Sequence, residues 1–279
     1  MTVTIIGTGL IGGSMALALK RNKIAKRIIG IDSNKTHIRK ALELKLINET
    51  LPLNDAVQQS DLIILAIPVD STRQLLPKIM DQVSSQVVMD VGSTKGPIVA
   101  SIEGHPKRSR FVATHPMWGT EHSGPEAAEK NAFKGKVTVI TDKEKSDTDA
   151  FGLVKRIYEK LQMKILYMNA IEHDLHTAYV SHISHITSFA VANTVLEKEM
   201  KEKTIFDLAS GGFESTVRLA KSNPAMWVQI FLQNRSNILD VLEEHIHQLE
   251  MFRNVIKEQN EDELKNLITH ANKIRKILK

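Results

Sequence analysis

The first half of the chain alternates short apolar runs with longer amphipathic ones. Residues 3–6, Arg27 to Ile31, Asp61 to Val69, Gln86 to Val91, Phe111 to Thr114, Val137 to Thr141 and Lys164 to Met168 read as strands. The run Asp61 to Val69 (DLIILAIPV) is apolar at successive positions, as a parallel strand buried on both faces requires. Helical stretches separate these runs: Met15 to Lys20, a segment from Ser33 or Asn34 to Leu44, Ser71 to Val83, and Asp147 to Leu161. Strands and helices in such alternation predict an α/β fold, a doubly wound sheet of Rossmann type.

After Asn169 the strand signals stop and only helical periodicity remains. The pattern predicts one helix from Ala170 to about Glu199, with Leu175, Ala178, His182, His185 or Ile186, and Phe189 on one face. Ile238 to Ile256 and Glu261 to Leu278 carry apolar residues at steps of three and four. Two domains follow, a dinucleotide-binding domain over residues 1–168 and an all-α substrate and dimerisation domain over residues 169–279. The stripes between Ile238 and Leu278 offer more apolar surface than a small domain hides, so a homodimer is expected.

Composition narrows the chemistry. The chain of 279 residues has no cysteine, which excludes disulfides, a thiolate nucleophile and thiolate-bound zinc. Its net charge of +5 comes from 37 basic and 32 acidic residues, scattered and not interleaved with aromatics, so nucleic acid is not an expected partner. The N-terminus passes straight into a strand with no signal-like segment, and no apolar run is long enough for a membrane span. A cytoplasmic enzyme for a small, anionic substrate is the expectation.

Between the first strand and helix stands Gly7-Thr8-Gly9-Leu10-Ile11-Gly12, a G-x-G-x-x-G in the context that gives the motif its meaning. Gly7 allows the tight turn, Gly9 the approach of a pyrophosphate, and Gly12 close packing of helix on strand. Asp32 follows twenty residues after Gly12, at the end of the second strand. Its carboxylate suits the ribose hydroxyls of NAD and repels the 2′-phosphate of NADP; the competing role is that of a helix cap. Pro68, Ser93 and His115 fall at other strand ends, where such sheets bind ligands.

The span from Asp90 to Gly124 is dense in Gly, Pro and polar groups directly after an apolar run. Within it His115 precedes Pro116, which favours an extended backbone, and its imidazole can exchange a proton near neutral pH. Ser93, Thr120 and Glu121 stand nearby in sequence. The helical half adds His173, His176, His182 and His185, with His182 and His185 three apart on one face. No H-E-x-x-H pattern or carboxylate set accompanies them, so no metal is expected. Gly211, Gly212, Arg218 and Ser222 suggest contacts to a carboxylate.

The stretches GTGLIGGS, LAIPV, DVGSTKG, THPMWGTEHSG, HDLHTAYVSHISH and GGFESTVRLAKSNPAMW together resemble the prephenate dehydrogenase family across essentially the whole chain. The resemblance implies NAD-dependent oxidative decarboxylation of prephenate to 4-hydroxyphenylpyruvate, a step of tyrosine biosynthesis, without a metal. It implies that His115 is the catalytic hydrogen-bond acceptor and that Ser93 orients it beside the nicotinamide. Thr120, Glu121, His173, His185, Arg218, Ser222 and Trp227 would line the substrate pocket, with Gly211 admitting substrate to the backbone. Arogenate is the rival substrate. A β-hydroxyacid dehydrogenase is a further alternative, with Lys221 as its one candidate lysine, and a non-catalytic dinucleotide-binding protein is a third.

Overall fold

The computed structural model describes residues 1–201 and 204–277. Its seven strands are β1 (Thr2–Ile6), β2 (Arg27–Ile31), β3 (Leu62–Leu65), β4 (Val87–Asp90), β5 (Phe111–Pro116), β6 (Val137–Thr141) and β7 (Lys164–Met168). They form one sheet in the order β2-β1-β3-β4-β5-β6-β7. Because side chains alternate across a strand, each central strand feeds two cores. Val3, Ile5, Ile64, Met89 and Val112 enter one, while Ile63, Leu65, Val88, Phe111 and Ala113 enter the other.

Helices α1 (Leu10–Arg21) and α2 (Lys35–Glu43) cover the first face. Helices α3 (Leu53–Gln58), α4 (Val69–Gln82) and α5 (Gly96–Ala100) cover the second, and α6 (Thr148–Lys160) returns to the first. Helices lie on both faces, as a doubly wound sheet requires. Strands β3 and β4 are shorter than their apolar runs, because Pro68 already caps α4 and Val91 opens a loop.

The sheet is not parallel throughout. Strand β6 runs antiparallel to β5, with Thr114 opposite Ile140 and His115 opposite Val139, and β7 runs parallel to β6. The reason is local. A parallel neighbour needs a crossover element, but residues 117–136 hold only a short 3₁₀ turn, Pro125–Ala127, so the chain doubles back.

Beyond Met168 the elements are α7 (Ala170–Thr177), a π-helical turn Ala178–His182, α8 (Ile183–Glu199), α9 (Gly211–Val217) and α10 (Pro224–Gln233). The expected single helix from Ala170 is therefore interrupted, and its buried face keeps Ala178 and His182 of the expected one but not Leu175. Leu175 is exposed, while His173, Asp174, Thr177 and His182 are buried. This stripe is polar because it packs on the polar loop after β4 rather than on an apolar core. Ala170, Trp227 and Ile230 join the second core, so these helices belong to the compact unit Met1–Asn234. A second unit, Arg235–Lys279, contains α11 (Arg235–Lys257) and α12 (Glu261–Ala271). Helix α12 gives way to a 3₁₀ turn at Asn272, and Leu278 lies outside the described residues. Among the described residues no helix is long and apolar enough to cross a membrane.

Candidate active site

The glycine turn is shaped by steric necessity at two positions. Gly7 has φ +95°, and a Cβ there would stand 2.3 Å from the Ala66 carbonyl oxygen. A Cβ on Gly12 would stand 1.8 Å from the Gly7 carbonyl oxygen. Gly9 differs, since its nearest neighbour would be Gly124 N at 4.0 Å, which leaves its outer side open. Helix α1 begins there at Leu10 and Ile11, with no side-chain cap and no acid in its first turn. Unpaired N–H groups and the positive end of the helix dipole thus face a space that a diphosphate fits.

Asp32 leaves the end of β2 beside this turn. Its Oδ2 accepts from the Thr8 N–H (2.9 Å) and the Thr8 hydroxyl (3.2 Å), and its Oδ1 accepts from the Asn34 N–H (2.9 Å). His37 Nδ1 lies 3.4 Å from Oδ2. The cap of α2 is Asn34, whose side chain accepts from the Thr36 N–H, so Asp32 is free of that task. Pro68 stands at the N-terminal boundary of α4, at the end of the central strand β3.

His115 occupies the next-to-last position of β5. Its Nδ1 lies 2.9 Å from His173 Nε2, although the residues are 58 apart in sequence. His173 Nδ1 in turn lies 2.8 Å from Asp174 Oδ1. Asp174 accepts from the Lys95 N–H (2.7 Å) and the Gly96 N–H (2.8 Å), which ties α7 to the loop after β4. Asn234 continues the network, because its Nδ2 donates to the Asp174 carbonyl (2.6 Å) and contacts His182 Nδ1 (3.1 Å).

Burial keeps these rings neutral. His115 is held well below the ordinary histidine value by desolvation, then by His173, Lys95 and His182. Burial also lowers His173, against the pull of Asp174. His182 is lowered to about 4, chiefly by burial. His185 is lowered for the same reason, and its Nδ1–H donates to the Ser181 carbonyl (3.1 Å). Its ring stacks on Trp227, with centroids 3.5 Å apart, and the buried Trp227 Nε1 has no partner among the described residues.

Beneath His115 lies an ion pair. The Lys95 ammonium donates to Asp90 and to the Thr114 carbonyl (2.7 Å), and both charged side chains are fully buried. Asp90 also accepts from the N–H groups of Gly92 (2.9 Å) and Thr114 (3.1 Å). The last turn of β4, the following loop and β5 are thereby fastened together.

The other sequence-derived residues are distributed less tightly. Ser93 is half-buried in the loop after β4, but the hydrogen bond at His115 Nδ1 is made with His173 instead. Thr120 and Glu121 lie in the loop after β5, and Glu121 pairs with Arg218 at 3.5 Å. Arg218 is exposed and acts electrostatically on His185. Ser222 is buried, while Gly211 is exposed at the start of α9 with nothing within 4 Å of where a Cβ would sit. Sequence reasoning missed Asp174, Asn234 and the Lys95–Asp90 pair. The available signal was polar residues recurring on the inner face of α7. Among the described residues no three His, Asp or Glu side chains gather where they could hold a metal ion.

Known proteins share this fold. The model for the nucleotide-binding domain of prephenate dehydrogenase matches residues 15–167, and that for its dimerization domain matches residues 169–270. A prephenate dehydrogenase of Bacillus subtilis is 33% identical over 267 residues, 94% of this chain and 72% of that one. The crystal structure of prephenate dehydrogenase from Aquifex aeolicus, in complex with hydroxyphenyl propionate and NAD+, superposes with a TM-score of 0.91 at 33% identity, covering 100% of this chain and 98% of that chain. An arogenate dehydrogenase from Synechocystis superposes with a TM-score of 0.76 at 26% identity, covering 99% of both. With both domain models matched across residues 15–167 and 169–270, and a relative 33% identical over 94% of this chain, the protein belongs to the prephenate dehydrogenase family.

Proposed function

We propose that this protein oxidises prephenate with NAD, releasing carbon dioxide and 4-hydroxyphenylpyruvate, and that His115 accepts the proton of the ring hydroxyl. The observation that carries this reading is the neutral His115 at the end of β5, backed at Nδ1 by His173. NAD, when bound, would supply the acceptor for the hydride that leaves the carbon bearing that hydroxyl. His115, held neutral by burial, takes the hydroxyl proton as the carbonyl forms. Loss of the ring carboxylate then makes the product aromatic, which drives the sequence forward. Gly7, Thr8, Gly9, Leu10, Ile11 and Gly12 hold the diphosphate, and Asp32 accepts from the ribose hydroxyls. Pro68 and Ser93 border the nicotinamide.

Arg218 anchors the pyruvyl carboxylate, the one that survives the reaction. A fork on the departing carboxylate would stabilise the ground state and oppose decarboxylation, so binding energy is better placed on the unreacting part. Glu121 lies 3.5 Å from the guanidinium and helps to orient it. Thr120, His185, Ser222 and Trp227 line the pocket, with the unpartnered Trp227 Nε1 a ready donor, and Gly211 leaves room for the ligand. Lys221 is exposed and sits 4.0 Å from Glu214, a poor setting for the catalytic lysine of a β-hydroxyacid dehydrogenase.

The protein works as a cytoplasmic homodimer joined through its helical half. The match to the dimerization domain supports this, as do Ile246, Leu249, Ile256 and Ile268, all exposed on α11 and α12. Sedimentation at micromolar concentration checks it, and a monomer there refutes it. The likeness to an arogenate dehydrogenase makes arogenate the second reading. Initial rates with prephenate and arogenate, each with NAD and NADP, decide between them. Turnover of neither substrate overturns the assignment.

A further inference from the structure

Asp174 is a buried carboxylate that touches neither substrate nor cofactor in the reaction described above, yet every hydrogen bond it makes has a fixed direction. Its Oδ1 accepts from the Lys95 backbone N–H and its Oδ2 from the Gly96 backbone N–H. Backbone N–H groups only donate, so both oxygens of the carboxylate serve as acceptors. The remaining contact, from His173 Nδ1 to Oδ1 at 2.8 Å, must then be donated by the ring. A neutral imidazole carries one proton, so His173 Nε2 is a bare acceptor. It lies 2.9 Å from His115 Nδ1. Two bare nitrogens cannot share a hydrogen bond, so the His115 proton resides on Nδ1 and its Nε2 is bare.

We propose that Asp174, acting through His173, is the positioning residue that locks His115 in its Nδ1–H tautomer and so makes Nε2 the proton acceptor of the reaction. This rests on His115 being the base, as proposed above. The proton leaving the substrate hydroxyl forms an N–H bond at Nε2, and His115 becomes an imidazolium. Its Nδ1–H bond to His173 then becomes charge-assisted and stronger, with Asp174 as the distant counter-charge. No proton passes beyond His115.

A doubly protonated His173 would reverse the chain. It would donate to His115 Nδ1 and force the neutral His115 proton onto Nε2, where no proton can be accepted. Burial and the Lys95 ammonium oppose that state, and Asp174 favours it. The groups acting on the pair are Lys95 and Asp90 below, Asp174 alongside, and His182 from the π-helical turn. Both rings thus adopt the tautomer that free histidine disfavours, which gives the network a spectroscopic signature.

The test begins on the wild-type protein without substrate. Two-bond ¹H–¹⁵N correlation after ¹⁵N labelling of the histidine rings, with His115→Asn and His173→Leu used to assign the spectrum, reads each tautomer directly. A protonated Nδ1 and a bare Nε2 at both rings are expected; a protonated Nε2 at His115 overturns the proposal. Kinetics supply the second arm. Asp174→Asn should lower kcat by about ten-fold or more with KM changed by less than about two-fold, in the manner of a lost tautomer anchor. Since an amide at this position opposes one of the two backbone N–H groups, Asp174→Asn can fail to fold, and His173→Leu and His173→Gln then decide. Gln can still accept from His115 Nδ1–H, so it should recover at least about ten-fold in kcat over Leu at similar thermal stability. Equal kcat in the two variants, or a loss confined to KM, refutes the relay. If the wild type turns over neither prephenate nor arogenate, the functional reading fails, while the nitrogen spectrum still decides the tautomer.

Discussion

Replacing Lys95 with methionine tests how far the site depends on its foundation. The side chain is fully buried, and its ammonium binds Asp90 and the Thr114 carbonyl. Methionine has similar length and bulk, so the packing change is small and the electrical one dominates. Asp90, also fully buried, keeps only the Gly92 and Thr114 N–H groups. Removing one partner of a buried pair costs about 3–5 kcal/mol, because the other charge is left uncompensated. Against a total stability of about 5–15 kcal/mol this is a severe loss. At roughly 2–4 °C per kcal/mol for a chain of this size, Tm should fall by roughly 6–20 °C. Adding Asp90→Asn removes the stranded charge, so the double variant should be more stable than Lys95→Met alone. Calorimetry and urea unfolding of the wild type, both single variants and the double variant complete the cycle. The Lys95 charge also depresses the His115 pKa, so the acid limb of kcat should move to higher pH in Lys95→Met. A Lys95→Met protein within about 1 kcal/mol of wild type, or a double variant no more stable than it, would refute the reasoning.

Three further outcomes are expected. His115→Asn should keep NAD affinity, read by fluorescence titration, but lose about 10²–10⁴-fold in kcat, the share of a positioned base; the wild-type kcat should hold as pH drops through the ordinary histidine range and fall only below it, since burial lowers the His115 pKa and the neutral ring is the active form. Asp32→Ala should weaken NAD and narrow the preference over NADP, and an unchanged ratio of kcat/KM values would leave Asp32 without a role in selecting the cofactor. Arg218→Ala should raise KM by an amount equivalent to about 2–5 kcal/mol with a much smaller change in kcat, and Lys should rescue it in part; a fall in kcat alone would make Arg218 part of the chemistry instead.

The cofactor half was legible because its constraints are local. The glycine spacing is itself a local pattern, although only Gly12 clashes with a sequence neighbour, Gly7, while Gly7 is confined by Ala66 just after β3. The strands Val137–Thr141 and Lys164–Met168 lie at the residues their apolar patterns mark. Strand direction was harder to read. Nothing in the apolar run of β6 shows that residues 117–136 turn back instead of crossing over. The catalytic constellation was legible only in part. His115 stands out by its neighbours in sequence, but its partner His173 arrives from 58 residues away and depends on tertiary packing. The helix from Ala170 misled for a physical reason: apolar periodicity pointed to Leu175, whereas the buried stripe is polar and finds its partners in another loop.

The π-helical turn Ala178–His182 sets a rule for length in this part of the chain. A π turn holds one residue more than the α-helix around it. Deleting one exposed residue there, such as Tyr179 or Val180, would restore a regular α-helical ladder and remove no apolar side chain from the core. The extra residue is taken up within that one turn, so the helix beyond it would keep nearly the same facing relative to His173. His185 would stay near the face of Trp227, and Phe189 near Phe231. A deletion inside the regular part of α8 is different, because each residue of an α-helix advances by roughly 100° and everything beyond it would turn by that angle. The turn is thus the place along this helix where a change of length is absorbed.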